Sequence, residues 1–370
     1  MSTAQPAPTG AVRIARVAGV PVYLDRTWVL LGLLVLWLGW STAASLSTAT
    51  RAAYALWLVL SILVAVLGHE VGHALVARLL GFRVHRVMAT LIGGHTAYDG
   101  TGTTPGRSAA VAVAGPAANL LLAALGWLGV TLASGVATYF AGSFALMNLL
   151  LAGFNMLPGL PLDGGAALQS LVWAVSGRRD LGTVVAGWAG RLVAVGVVLW
   201  FGVRPLVLGQ LETFDLLIGL VMGWILWQGA TAALKRAPLE RLLRVVRPVD
   251  VLEPVHVVPA ATPVGELVGA PHRVLAVDER HLPTLLLPGP EAGAPDLATL
   301  PPETRLSSVV VRLPDAALVD LAPGQDLEPV LRSLGGTGWG VVVVTEGRHV
   351  RGVVTASHLD EVARHALRRN

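Results

Sequence analysis

The chain of 370 residues has no cysteine, a single lysine (Lys235) and only 14% charged residues. Without cysteine there are no disulfides, thiolate zinc sites, iron–sulfur clusters or thiol nucleophiles, so any metal must take His, Asp or Glu. Scarce charge, 54% hydrophobic residues and a positive mean hydropathy exclude an ordinary soluble enzyme. They describe a polytopic α-helical membrane protein. The cations gather at the ends of apolar segments, which argues against a nucleic-acid partner. Trp28, Trp40, Trp57 and Trp200 also stand near segment ends, as interfacial belts require.

What the chain does have is six apolar runs long enough to cross a hydrocarbon layer of ~30 Å. They are Trp28 to Leu46, Ala52 to Leu80, Ser108 to Ala133, Ala137 to Leu157, Leu181 to Phe201 and Thr213 to Leu234. Met1 to Gly10 is polar, and residues 1–27 read as a segment preceding the first run, which is itself a retained anchor rather than a signal peptide. The connections holding Arg13, Arg16, Arg26, Arg78 to Arg107, Arg178, Arg179 and Lys235 to Arg247 fall on one side. Only Arg51 and Arg204 fall on the other. The positive-inside rule then places both termini in the cytoplasm of a cell-membrane protein.

His69-Glu70-Val71-Gly72-His73 stands near the inner end of the second run. Residues four apart share a helix face, so both imidazoles can converge on one metal ion, with the Glu70 carboxylate beside it to take a proton from water. Unpaired polar groups at such depth cost roughly 2.5 kcal/mol or more, and a metal supplies the partner. The fourth run ends at Asn155-Met-Leu-Pro158-Gly159-Leu-Pro161-Leu-Asp163-Gly164-Gly165, where two prolines and three glycines break the helix. Broken backbone at that depth must be covered by protein or line a cavity, which delivers Asp163 near the two histidines as the natural third ligand. Residues 84–106 are too polar and Gly-rich to span. Their pattern around Gly93-Gly94 reads as a β-hairpin, either an ordinary loop or an edge strand able to pair with an extended substrate.

Beyond Pro248 the apolar runs shorten. Val341 to Val344, Gly347, Val350 to Thr355 and Leu359 to Leu367 give strand, turn, strand, helix, and Ala260 to Val268 opens a similar, more degenerate half. Residues 248–370 therefore read as a soluble α/β domain, with a loop at Glu291 to Asp296, following a membrane domain over 28–237. Arg191, mid-run in the fifth segment, reads as an ion-paired or snorkelling side chain, or as one lining a substrate path. Asn119 reads as a helix-packing hydrogen bonder. His85 and His95 read as loop residues, and the histidines of the tail, among them His272, His281 and His358, have no ligand spacing.

His69-Glu70-x-x-His73 in a membrane run, Gly115-Pro116-x-x-Asn119 and Asn155-x-x-Pro158-x-x-x-Leu162-Asp163-Gly164 together resemble the site-2 proteases, intramembrane zinc metalloproteases of peptidase family M50. The resemblance covers roughly Val12 to Ala237. It implies one Zn2+ per subunit on His69, His73 and Asp163, with Glu70 as the catalytic carboxylate, Asn155 steadying the oxyanion or substrate, and a membrane-associated hairpin after the second helix. It also implies a single-pass membrane protein as substrate, of the anti-sigma-factor kind, cut in regulated intramembrane proteolysis. The tail resembles the CBS-domain pair of one branch of the family, through Ala322-Pro-Gly-Gln-Asp-Leu327 and Gly352-Val-Val-Thr355. Such pairs dimerise and bind adenine nucleotides through an acid three residues after the Thr, where this chain has His358. Two other classes share part of the pattern: a nucleotide-gated transporter or channel, and a catalytically inactive protease-like binder.

Overall fold

The structure is a computed structural model that describes residues 10–90, 93–100, 102–209, 212–269, 273–277, 282–287, 299–322, 325–347 and 349–369. His272, His281, the expected loop at Glu291 to Asp296 and the Pro323-Gly324 pair lie outside the described residues, as do residues 1–9. The chain divides into two compact units, Met1–Pro238 and Leu239–Asn370.

The first unit opens with two strands in a stretch that carries no plain strand pattern. β1 (Ala11–Val17) and β2 (Val20–Asp25) form an antiparallel hairpin. Its turn, Ala18-Gly19, has positive φ at both residues, the twist that suits a two-residue hairpin. Alternation accounts for β2: Val20 and Val22 are buried against Ala74 and Val87.

The first apolar run forms only a 15-residue helix, α1 (Trp28–Thr42). At 1.5 Å per residue this is about 22 Å, short of a full span. The run is cut because Ser47 accepts a hydrogen bond from Thr50 N and starts the next helix, so residues 43–47 are spent on the turn. Five helices among the described residues are long and apolar enough to cross a membrane: α2 (Thr48–Leu79), α3 (Pro105–Leu132), α4 (Val136–Asn155), the stretch Arg179–Val207 and α8 (Thr213–Val245). Large apolar side chains such as Leu121, Leu125 and Trp127 stand exposed on them, a surface that lipid can solvate and water cannot. α5 (Asp163–Ser176) is a 14-residue helix between α4 and that stretch. The stretch itself is α6 (Arg179–Val198), a π turn over Leu199–Val203 and α7 (Arg204–Val207). Pro205 has no N–H for the preceding turn, and the ladder widens just before it.

The expected hairpin forms as β3 (Val84–Thr90) and β4 (Gly93–Tyr98). β2 and β3 pair in parallel, giving a four-stranded sheet in the order β1-β2-β3-β4. Val87 and Ala89 turn inward, Val87 onto Ala74 and Ala89 onto Val66, so the sheet is fastened along α2.

The second unit repeats one pattern twice. β9 (Leu318–Asp320), α9 (Glu328–Thr337) and β10 (Val341–Glu346) make a strand–helix–parallel-strand unit, extended by antiparallel β11 (His349–Thr355) and followed by α10 (Ala356–Arg369). The valine run is continuous because β10 is buried on both faces. Val342 and Val344 pack with Leu327 and Val330, whereas Val343 packs with Leu275 and Leu313. In the other half, parallel β5 (Val255–Pro259) and β6 (Arg273–Val277) are joined through a 3-10 turn at Val264–Leu267 in place of a full helix. Short antiparallel β7 (Leu285–Leu286) and β8 (Val311–Arg312) complete that sheet.

Candidate metal centre

Three elements bring the site together. α2 supplies His69 and His73 one turn apart, both buried and with edge-to-face rings. The break after α4 and the first turn of α5 supply Asp163. That break is held tightly: Leu160 N donates to Ala186 O at 3.0 Å, and a Cβ on Gly190 of α6 would run into the Leu160 carbonyl. α3 supplies the outer shell. Its Gly115 lies directly against the two imidazoles, where a methyl group would come within 2.7 Å of His69 Nε2 and closer still to His73 Nε2.

The outer nitrogens of both rings are engaged. Asn119 Nδ2 donates to Ala65 O and Asn148 Oδ1, both at 2.9 Å, so Asn119 Oδ1 is an acceptor. It lies 2.6 Å from His69 Nδ1, which must therefore carry a hydrogen. His73 Nδ1 donates in the same way to the Val111 carbonyl at 2.7 Å. In neutral rings both Nε2 atoms then hold bare lone pairs. They face each other at 3.1 Å and meet Asp163 Oδ2 at 2.8 and 3.3 Å.

Three electron-rich atoms converge with no hydrogen among them, and Asp163 Oδ2 is buried with no hydrogen-bond donor. Such a cluster repels itself until a cation enters. Its dimensions fit one: four ligands about 2.1 Å from a tetrahedral zinc stand ~3.4 Å apart, close to the three separations here. Among the described residues this is the one group of three or more His, Asp or Glu arranged to hold a metal.

Glu70 is buried beside the cluster, and its Oε2 accepts a 2.8 Å hydrogen bond from Thr96 Oγ1 on β4. No motif or spacing points to Thr96 or to the Val111 carbonyl as partners of these side chains. Asn119 packs helices as expected, through Ala65 and Asn148, and holds His69 as well. Asn155 lies at the end of α4 with its amide turned onto its own helix, donating to Leu151 O at 3.0 Å. His95 points away on β4 and is exposed, and His85 pairs with Asp99 at 2.9 Å. Arg191 makes no ion pair in the described structure. Its guanidinium lies between the rings of Trp188 and Trp227, 4.6 and 4.9 Å from their centres.

Comparison with known proteins gives this geometry its family. The family described as Peptidase family M50 matches residues 57–141 and 129–199, which include His69, Glu70, His73 and Asp163. A protein of Mycobacterium tuberculosis described as "Putative zinc metalloprotease Rip3" is 32% identical over 370 aligned residues, 94% of this chain and 91% of that one. One of Synechocystis sp. described as "Putative zinc metalloprotease sll0528" is 31% identical over 311 residues, 74% of this chain and 78% of that one. The solved site-2 protease from Methanocaldococcus jannaschii aligns with a TM-score of 0.44 at 23% identity, covering 60% of this chain and 95% of that one. With its lone-pair cluster set among apolar helices and with a relative 32% identical matched along 94% of its length, the chain belongs to peptidase family M50 and is a membrane zinc metalloprotease.

Proposed function

We propose that the chain is an intramembrane protease that cleaves the membrane segment of single-pass, anti-sigma-factor-like regulators. The observation that carries the reading is the convergence of His69, His73 and Asp163 beside the Glu70 carboxylate on a helix apolar enough to span. Zinc held by those three side chains supplies Lewis acidity to water and to the scissile carbonyl. Glu70 takes the proton of the attacking water as its oxygen bonds to the carbonyl carbon. The same carboxylate then delivers that proton to the leaving nitrogen as the C–N bond breaks. Asn155 is the proposed donor to the developing oxyanion, for which its amide must let go of Leu151 O. β4, the last strand of its sheet, offers a free edge to a locally unwound substrate, and main-chain pairing there offsets part of the cost of unwinding.

The tail is proposed to be a cytoplasmic CBS pair over residues 248–370 that regulates the membrane domain and pairs subunits. Support comes from the repeated strand–helical segment–parallel strand pattern. For an adenine nucleotide the support is thinner. The Thr355 hydroxyl is tied to the Glu253 carboxylate, and the backbone N–H of His358, which replaces the acid, donates to the same hydroxyl.

The test compares membrane-protein fragments in cells carrying the wild type and Glu70→Gln. Fragments of single-pass proteins that vanish in the variant, while its zinc content stays near one per chain, support the reading. Identical fragment sets, with full turnover by the variant, would end it.

A further inference from the structure

Glu70 is held from a direction that the metal ligands do not explain. Thr96 Oγ1 lies 2.8 Å from Glu70 Oε2 and 3.0 Å from the Glu70 main-chain oxygen, so one hydroxyl proton serves two oxygens of the same residue. Two positions earlier, on the same face of β4, Gly94 lies against the Glu70 side chain. A Cβ there would come within 2.6 Å of the carboxylate carbon and closer to Cγ. The strand is thus shaped to this one residue, with a donor at 96 and a void at 94.

Register keeps it so. Ala89 stands opposite Gly94 and Val87 opposite Thr96, and both partners are buried along α2. A slip of one residue would turn Thr96 outward and bring His95 to the Glu70 side.

We propose that Thr96 is a positioning residue for Glu70, acting in the space that Gly94 leaves; this rests on Glu70 as the proton carrier of the reaction. The hydroxyl selects one orientation of a side chain that otherwise turns about three single bonds. Thr96 faces α2 rather than the open edge, so its loss lowers the rate at which bound substrate reacts and leaves substrate binding alone. The strand proposed to receive the substrate is then also the strand that aims the carboxylate.

The experiment uses the full chain in detergent, loaded with zinc, on a single-span reporter peptide that the wild type cleaves. Thr96→Val should lower kcat by about 10- to 100-fold, the range for losing a hydrogen bond to a charged group. KM should stay within about twofold, and zinc content should equal that of the wild type. Thr96→Ser should recover most of the rate, and Gly94→Ala should lower kcat by displacing the carboxylate. Wild-type kcat in Thr96→Val beside an inactive Glu70→Gln overturns the proposal and leaves the parent reading standing. Equal losses in Thr96→Ser and Thr96→Val also overturn it, because packing would then be the cause, as would a loss confined to KM. Full turnover by Glu70→Gln removes the parent reading, and this proposal with it.

Discussion

Two places in the membrane unit keep polar groups among apolar helices, and they do so in opposite ways. At the metal centre each histidine spends its N–H on an outer partner, Asn119 or Val111, so only lone pairs face inward. Around Arg191 a charge is set against aromatic faces instead. Two indole rings lie against the guanidinium and Nη2 donates to Thr231 at 3.3 Å, while Nε is buried without an acceptor. The first arrangement is incomplete without a cation, whereas the second already holds its cation against two rings. A charge among apolar helices therefore does not by itself mark a site. Convergence of unsatisfied atoms of one kind does.

The largest effect that tests this contrast is loss of a ligand. His69→Ala and Asp163→Ala should each abolish zinc binding and cleavage together, because two remaining ligands do not hold the ion against a chelator. Arg191→Met should keep zinc at the wild-type level. Elemental analysis of the purified variants decides it. An Asp163→Ala protein with full zinc would break the contrast at its stronger end.

A smaller effect is expected one shell out. Asn119→Leu fills a similar volume, removes the acceptor that fixes the His69 tautomer, and leaves Asn148 Oδ1 without its donor. Outer-shell partners of this kind are worth about 10- to 100-fold in metal affinity, so the zinc dissociation constant from chelator competition should rise by that factor. His73 keeps its Val111 carbonyl, a backbone group that no substitution at 111 except proline-induced distortion removes, and so holds its tautomer throughout.

How much of this could be read from the chain follows from how local each signal is. The histidine pair depends only on helical spacing, and Asp163 depends on a Pro- and Gly-rich break that any reading of the backbone must honour. Thr96 depends on the register of β4 against β3, which the residues of the hairpin do not announce. The β1–β2 hairpin hid because Arg13 and Arg16 stand three apart in β1 and break the strict alternation that marks a strand. The first run looked long enough to span because residues 43–46 are small or apolar, whereas the Ser47 cap spends them on a turn. In the tail the second repeat was plain from its valines. The first, with a 3-10 turn where its counterpart has a helix, carries too little apolar periodicity to show its shape.

The smallest effect concerns the Arg191 clamp itself. Arg191 is on α6, whereas Trp227 and Thr231 are on α8, so the clamp fastens those two helices to each other. A cation over an aromatic face contributes about 0.5–2 kcal/mol depending on its desolvation, and Arg191 has two such faces. Arg191→Met keeps most of the apolar stem but gives up both attractions and the hydrogen bond. The melting temperature should fall by several degrees, less for Arg191→Lys, which retains a charge between the rings. Activity should fall as well, though by less than about tenfold, a ceiling of 1.4 kcal/mol on the barrier. The coupling runs through α8: Gly229, two residues from Trp227, lies against Pro161 in the break that carries Asp163, so a looser α8 relaxes the third ligand without removing it. An Arg191→Met protein with an unchanged melting temperature and a large loss of kcat would reverse the comparison, because the arginine would then belong to the reaction rather than to the packing of α6 on α8.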